Sequence, residues 1–241
     1  MTVGIRIRGA AGNVQIDDTT PVFIVAEQGK ITPAHFVSSG FGMFRGRHVV
    51  TFTNVVRTQA PPLIFLRFVS SYVAMITLSA IGSPGNWTGF QLGAGEWTEL
   101  NNQVLPKGIY CDWFTSTKTP GPSGAKVGIR IRNRLTGEVV FDSGFKLVKF
   151  IQQNGDFKSE GRRTHWVLRY SVGYPSPDAY FLANNLSCII NFYGSRQIQY
   201  MTPSVEPGYP GKLLLYTWAY SKEDVPYQTN LWTVLFATPG L

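Results

Sequence analysis

The sequence predicts an all-β protein: two tandem antiparallel β-sandwich-like units, each opening with the same β-hairpin, and almost no helix. Three observations carry this. The opening Val3-Gly4-Ile5-Arg6-Ile7-Arg8 returns as Val127-Gly128-Ile129-Arg130-Ile131-Arg132. Short β-branched and aromatic runs recur along the chain, separated by Gly, Pro, Asn and Ser at intervals of roughly 8 to 15 residues, as in sandwiches and barrels. The apolar residues come in short runs or alternate rather than following a sustained helical period, so almost no helix is expected.

The hairpins come first. Side chains alternate along a strand, so Ile5 and Ile7 share one face and Arg6 and Arg8 the other, with Val14 and Ile16 supplying the matching apolar face of the return strand. The loop Gly9-Ala10-Ala11-Gly12-Asn13 has glycines able to take positive φ. In the second copy Ile129 and Ile131 face Val139 and Phe141 around Asn133-Arg134-Leu135-Thr136-Gly137. Asp17 and Asp142, which close the two hairpins, have the side chain for an Asx turn into the next strand. Strand-like runs follow at 49–56, 63–69 and 73–78, then at 166–170, 188–193, 213–218 and 231–236. Residues 118–124, Lys-Thr-Pro-Gly-Pro-Ser-Gly, read as a linker and divide the chain into units 1–120 and 121–241. One larger sandwich, with the hairpins at pseudo-equivalent positions, is the other arrangement the pattern allows.

Of the 241 residues, 44% are hydrophobic and 14% aromatic, enough for substantial cores. Only 15% are charged, against about 25% in ordinary soluble domains. A surface so poor in charge suits secreted proteins, virion proteins and large permanent assemblies. The formal net charge is +8, but its densest clusters (Arg45/Arg47, Arg130/Arg132/Arg134 and Arg162/Arg163) are short. No basic stripe or known module is present, so nucleic acid is not an expected partner; an anionic glycan fits the charge better. Cys111 and Cys188 fall one in each half, in strand-like runs, and read as buried reduced thiols. Neither belongs to a CxxC or Cys/His cluster, so no zinc is expected. No run approaches the ~20 apolar residues of a spanning helix, and Met1-Thr2-Val3-Gly4 leads straight into a strand pattern, so neither membrane insertion nor signal-directed export is expected.

Chemistry-bearing motifs are sparse. GxSxG, Walker, HExxH and helix-opening GxGxxG patterns are absent. His35, His48 and His165 sit in unrelated contexts. The acid pairs Asp17-Asp18 and Glu223-Asp224 have the groups for glycoside hydrolysis or Ca²⁺ binding, yet both fall at strand-to-loop transitions, where acids serve turns and solvation. The expectation is a protein that is not an enzyme and needs no cofactor or metal. Aromatic residues in loop-like settings are the better candidates for a binding or interface role. Trp87 lies in Gly82-Ser83-Pro84-Gly85-Asn86-Trp87-Thr88-Gly89, Tyr174 and Tyr180 flank Pro175-Ser176-Pro177-Asp178, and Tyr209 sits between Gly208 and Pro210. Flat rings bind sugar faces and protein grooves alike.

Gly128, the alternating Ile129 and Ile131, Asn133, Gly137 and the closing Val139-Val140-Phe141-Asp142-Ser143 together resemble a family of tail-associated proteins of tailed bacteriophages and prophages. The first copy departs from this by ending Asp17-Asp18-Thr19. The resemblance implies a structural virion component of the tail tip, baseplate or fibre region, made and assembled in the bacterial cytoplasm. It also implies other tail proteins as partners and a homo-oligomer, with a trimer favoured, and it transfers no catalytic residue. A receptor-binding, lectin-like module gripping host-surface glycan is the second reading. Aromatics gathered in one concave site would favour that module; dispersal along sheet edges or subunit seams would favour assembly.

Overall fold

A computed structural model of the chain describes residues 6–8, 14–17, 22–32, 46–69, 73–95, 111–164, 167–184, 186, 189–191, 198–205, 210–218 and 234–240. Every regular element among them is a β-strand. The first half supplies β1 (Arg6–Arg8), β2 (Val14–Asp17), β3 (Phe23–Ile31), β4 (Gly46–Val56), β5 (Leu63–Phe68), β6 (Val73–Ser83), β7 (Asn86–Gly95) and β8 (Cys111–Lys118). The second supplies β9 (Arg130–Arg132), β10 (Val139–Asp142), β11 (Val148–Asn154), β12 (Lys158–Thr164), β13 (Val167–Gly173), β14 (Tyr180–Leu182), β15 (Ile189–Asn191), β16 (Ile198–Val205), β17 (Lys212–Trp218) and β18 (Val234–Pro239). The fold is all-β, as the periodicity predicts.

Both repeated segments are hairpins. In the first, Arg6 pairs with Asp17 and Ile7 with Ile16; in the second, Arg130 pairs with Asp142 and Ile131 with Phe141. Six strands form one antiparallel sheet in the order β11-β18-β14-β5-β8-β3. A second sheet runs β12-β13-β17-β16-β6-β7-β4, with β15 added to β16. Both sheets cross the boundary at 120/121, through the ladders Phe181↔Leu66 and Leu182↔Phe65 in one and Ser204↔Ala74 and Val205↔Val73 in the other. Outward from these junctions the strand orders match: β5, β8, β3 against β14, β18, β11, and β6, β7, β4 against β16, β17, β13, with β12 beyond. Pairing slips across Ala26 in β3 and across Ile151 in β11. Each slip lies nine residues past the acid that closes its hairpin, 17 to 26 and 142 to 151. Both large sheets thus draw strands from both sides of residue 120.

Alternation assigns the two faces of the six-stranded sheet. Ile64, Leu66 and Phe68 of β5, Trp113 of β8 and Phe181 of β14 face the second sheet, where they pack with Val50, Phe52, Phe90, Leu92, Tyr170, Leu213 and Leu215. Gly29 makes room for this layer: a Cβ there would lie 2.8 Å from the Trp113 ring. Phe65, Phe114 and Ala237 project from the other face, with Val25, Leu63, Val148, Tyr180 and Leu182 around them. This apolar cluster is enclosed because the sheet curls. Its edge strands β3 and β11 meet at one end through the Ile24↔Leu147 bridge. The Val25 N–H donates to Lys146 O at 2.8 Å, and Phe23 meets Phe150 edge-on at 5.7 Å. The result is an incomplete barrel, and β8 is consequently buried on both faces, with Thr115 and Ser116 at 0% exposure. Hairpin β9–β10 packs Ile131, Val140 and Phe141 against Val22 and Leu147, where β3 and β11 converge.

Candidate functional site

A groove of about 320 Å³ runs between β3 and β4. Its lining is mainly apolar, with Ile24, Val55, Val56 and Phe145 among the residues, and its two charged lining residues are Glu27 and Arg57. The groove follows from a break in pairing. β4 pairs with β7 as far as Thr51↔Gly89 and resumes at Val56↔Trp87, so the residues between bow away from the ladder. Val55 is left 39% exposed. Glu27 holds the bow, its carboxylate accepting from Thr53 N at 2.9 Å and from Thr53 Oγ1 at 3.0 Å. Beyond the bow, Thr58 O accepts from Gly85 N at 2.9 Å and from the Trp87 indole Nε1 at 2.9 Å. Arg57 therefore rises from pinned backbone, and it has no ion-pair partner among the described residues.

The sequence-predicted aromatics occupy separate environments. Trp87 is half-buried and ties the groove rim to the β6–β7 hairpin. Tyr174 packs on the inter-sheet core, its ring 5.4 Å from that of Phe236. The Tyr174 hydroxyl is buried without a hydrogen-bond partner among the described residues, and burial pushes its ionisation well above the usual phenol range. Tyr180 lies within the curl, edge-on to Phe114 at 5.0 Å, with the Arg67 guanidinium 5.0 Å from its ring centre. These three rings make no contact with one another. Tyr209 lies outside the described residues, as do Cys188, His35, His165, Asp18 and the Glu223-Asp224 pair.

Arg67, which the sequence did not single out, is the centre of a charged cluster inside the curl. It donates to Asp112 at 2.5 Å and to Asp178 at 2.9 Å. Asp112 is directly opposite Arg67 in the β5–β8 ladder, a register that no local pattern reveals. Behind them the Cys111 thiol is fully buried in the inter-sheet core, and burial raises its ionisation far above the usual range, which makes it a poor nucleophile. Among the described residues, no group of three His, Cys, Asp or Glu side chains could hold a metal ion.

The second hairpin shows what its signature residues do. The Asn133 carboxamide accepts from Leu135 N at 2.8 Å and Thr136 N at 3.1 Å, and Gly137 takes φ 73° to complete the turn. Asp142 makes the expected Asx turn with Gly144 N at 2.9 Å. It also accepts from Ser123 Oγ at 2.7 Å, Ser123 N at 2.9 Å and Arg130 Nε at 2.6 Å. The Gly144 N–H first, then the two Ser123 donors, hold its carboxyl well below the usual range. One expectation changes: Ile129 does not join the apolar face but is 61% exposed. Its N–H is taken by Ser143 Oγ at 2.8 Å, so the regular ladder begins only at Arg130. Gly128, at φ 150°, lies so close to that hydroxyl that a Cβ would come within 2.4 Å of it.

No protein-family model matches the chain, and no curated protein or solved structure matches it.

Proposed function

We propose that the chain is a structural protein of a bacteriophage tail, in the tip, baseplate or fibre region, and that it acts through protein–protein interfaces. The observation that carries the assembly reading is the second hairpin and its approach. There Ile129 is 61% and Leu135 86% exposed although the backbone N–H of each is hydrogen-bonded to a side chain, and nearby Val127 is 91% exposed. Apolar side chains held out on a tied scaffold are suited to burial against a partner. The low charge of the whole chain suits the same role. The assignment to a tail rests on the resemblance carried by residues 127–143. Its partners are then other tail proteins and further copies of the chain, within the virion.

The separate settings of the three described aromatics support assembly over a lectin-like glycan platform. Trp87 is bound to Thr58, Tyr174 is packed in the core, and Tyr180 is engaged by Arg67 and Phe114. Cryo-electron microscopy of particles from cells carrying the surrounding phage or prophage genome tests the proposal. Density for the chain between other tail proteins is the expected result. A position at a free tip would transfer the primary role to receptor binding, and absence from the particle would refute the tail assignment.

A further inference from the structure

We infer that the chain associates head to tail with copies of itself, the tip of hairpin β9–β10 on one copy entering the β3–β4 groove on the next. The inference deepens the assembly reading and rests on it for its biological setting. Two separate features fit one another. At the hairpin tip Leu135 is 86% exposed, and the Asn133 carboxamide fixes the backbone of Leu135 and Thr136. A side chain presented this way loses little further freedom on docking. Exposed Arg134 and Glu138 flank it, the latter accepting from Thr136 Oγ1 at 3.1 Å. The groove, at about 320 Å³, is within the range that accommodates a ligand group. Its mainly apolar lining includes one acid, Glu27, and one cation, Arg57, which lacks an ion-pair partner among the described residues. The tip offers an exposed leucine with one cation and one acid beside it in the turn, and the groove offers apolar lining with one acid and one cation.

Leu135 is exposed, so it does not occupy the groove of its own chain, and the proposed contact is with another copy. Tip and groove are different patches, which makes the contact heterologous: each copy uses one of each, and repetition gives a closed ring or an open filament. A closed ring is the form compatible with the expected trimer.

The test uses the full-length chain in analytical ultracentrifugation. Leu135→Asp and Val55→Asp alter exposed positions, so the fold should persist, which circular dichroism checks. Each should weaken self-association about 30-fold or more, the effect of withholding one leucine side chain from burial. Mixing the two variants is the discriminating measurement. The intact tip of Val55→Asp can still enter the intact groove of Leu135→Asp, so the mixture should give a two-chain complex that neither variant forms alone. Arg57→Glu and Glu138→Arg should each weaken association, and their combination in one chain should restore it. A wild-type chain that stays monomeric up to millimolar concentration overturns the inference. So does an oligomer that Leu135→Asp leaves intact, or a mixture that forms no complex. None of these results touches the tail reading, which the position of the chain in the particle decides.

Discussion

Replacing Phe114 by Ala tests whether the curled face of the six-stranded sheet is a true second core. Phe114 is 0% exposed; its ring stacks on Phe65 at 4.7 Å with planes 7° apart, and meets Tyr180 edge-on at 5.0 Å. Truncating a buried Phe to Ala costs about 3–5 kcal/mol through lost transfer energy and the cavity left behind. Each aromatic contact adds about 0.5–1.5 kcal/mol. Strand β8 is laddered to β3 on one side and β5 on the other, so the site has little freedom to collapse. These effects place the expected loss near the top of the range, about 5 kcal/mol. The control is Phe150→Ala: Phe150 borders the same cluster but is 41% exposed, and its loss should be about 1–2 kcal/mol. Urea unfolding followed by tryptophan emission separates the two, with the slope checked for constancy. In thermal scans about 5 kcal/mol corresponds to a fall of about 10–20 °C for a chain of this size. Equal midpoints for the two variants, or a loss below about 1.5 kcal/mol for Phe114→Ala, would refute the interior placement.

Gly29→Ala should cost about 1–3 kcal/mol in the same unfolding assay, because its Cβ would meet the buried Trp113 ring at 2.8 Å; an unchanged midpoint would contradict that contact. Trp87→Phe should cost only about 0.5–1.5 kcal/mol for its hydrogen bond, since Gly85 N still satisfies Thr58 O; a loss above about 3 kcal/mol would mean that the indole supports more than the groove rim. The last prediction concerns pH. The folded-state pKa of Asp142 lies below its ordinary 3.8, so its stabilising contribution is complete above about pH 5 and fades as acid protonates it. The difference in urea midpoint between wild type and Asp142→Asn should therefore be constant near neutrality and shrink below about pH 4. A difference that holds steady from about pH 6 to pH 2 would count against the Gly144–Ser123 cradle.

Short-range chemistry made much of this protein legible in its sequence. Period-two alternation and turn residues act over a few positions, so the all-β class, both hairpins and the Asp142 turn could be read directly from the residues. The same local logic failed at Ile129, where a hydroxyl 14 residues away takes the N–H that the strand would have used. It was also silent on β8. Thr115 and Ser116 look like surface residues in Cys111–Lys118, and only the curl of the sheet buries both faces of that strand.

The sequence by itself determined which segments extend, where they turn and which residues alternate, because those preferences arise within a residue and its near neighbours. Tertiary structure decided which strands pair across the two halves. It also set Arg67 opposite Asp112, 45 residues on, sent Tyr174 inward while Tyr180 faces the curl, and opened a groove beside Arg57. Those outcomes depend on ladder register and sheet curvature. Both are set by packing summed over distant segments, and no local pattern encodes them.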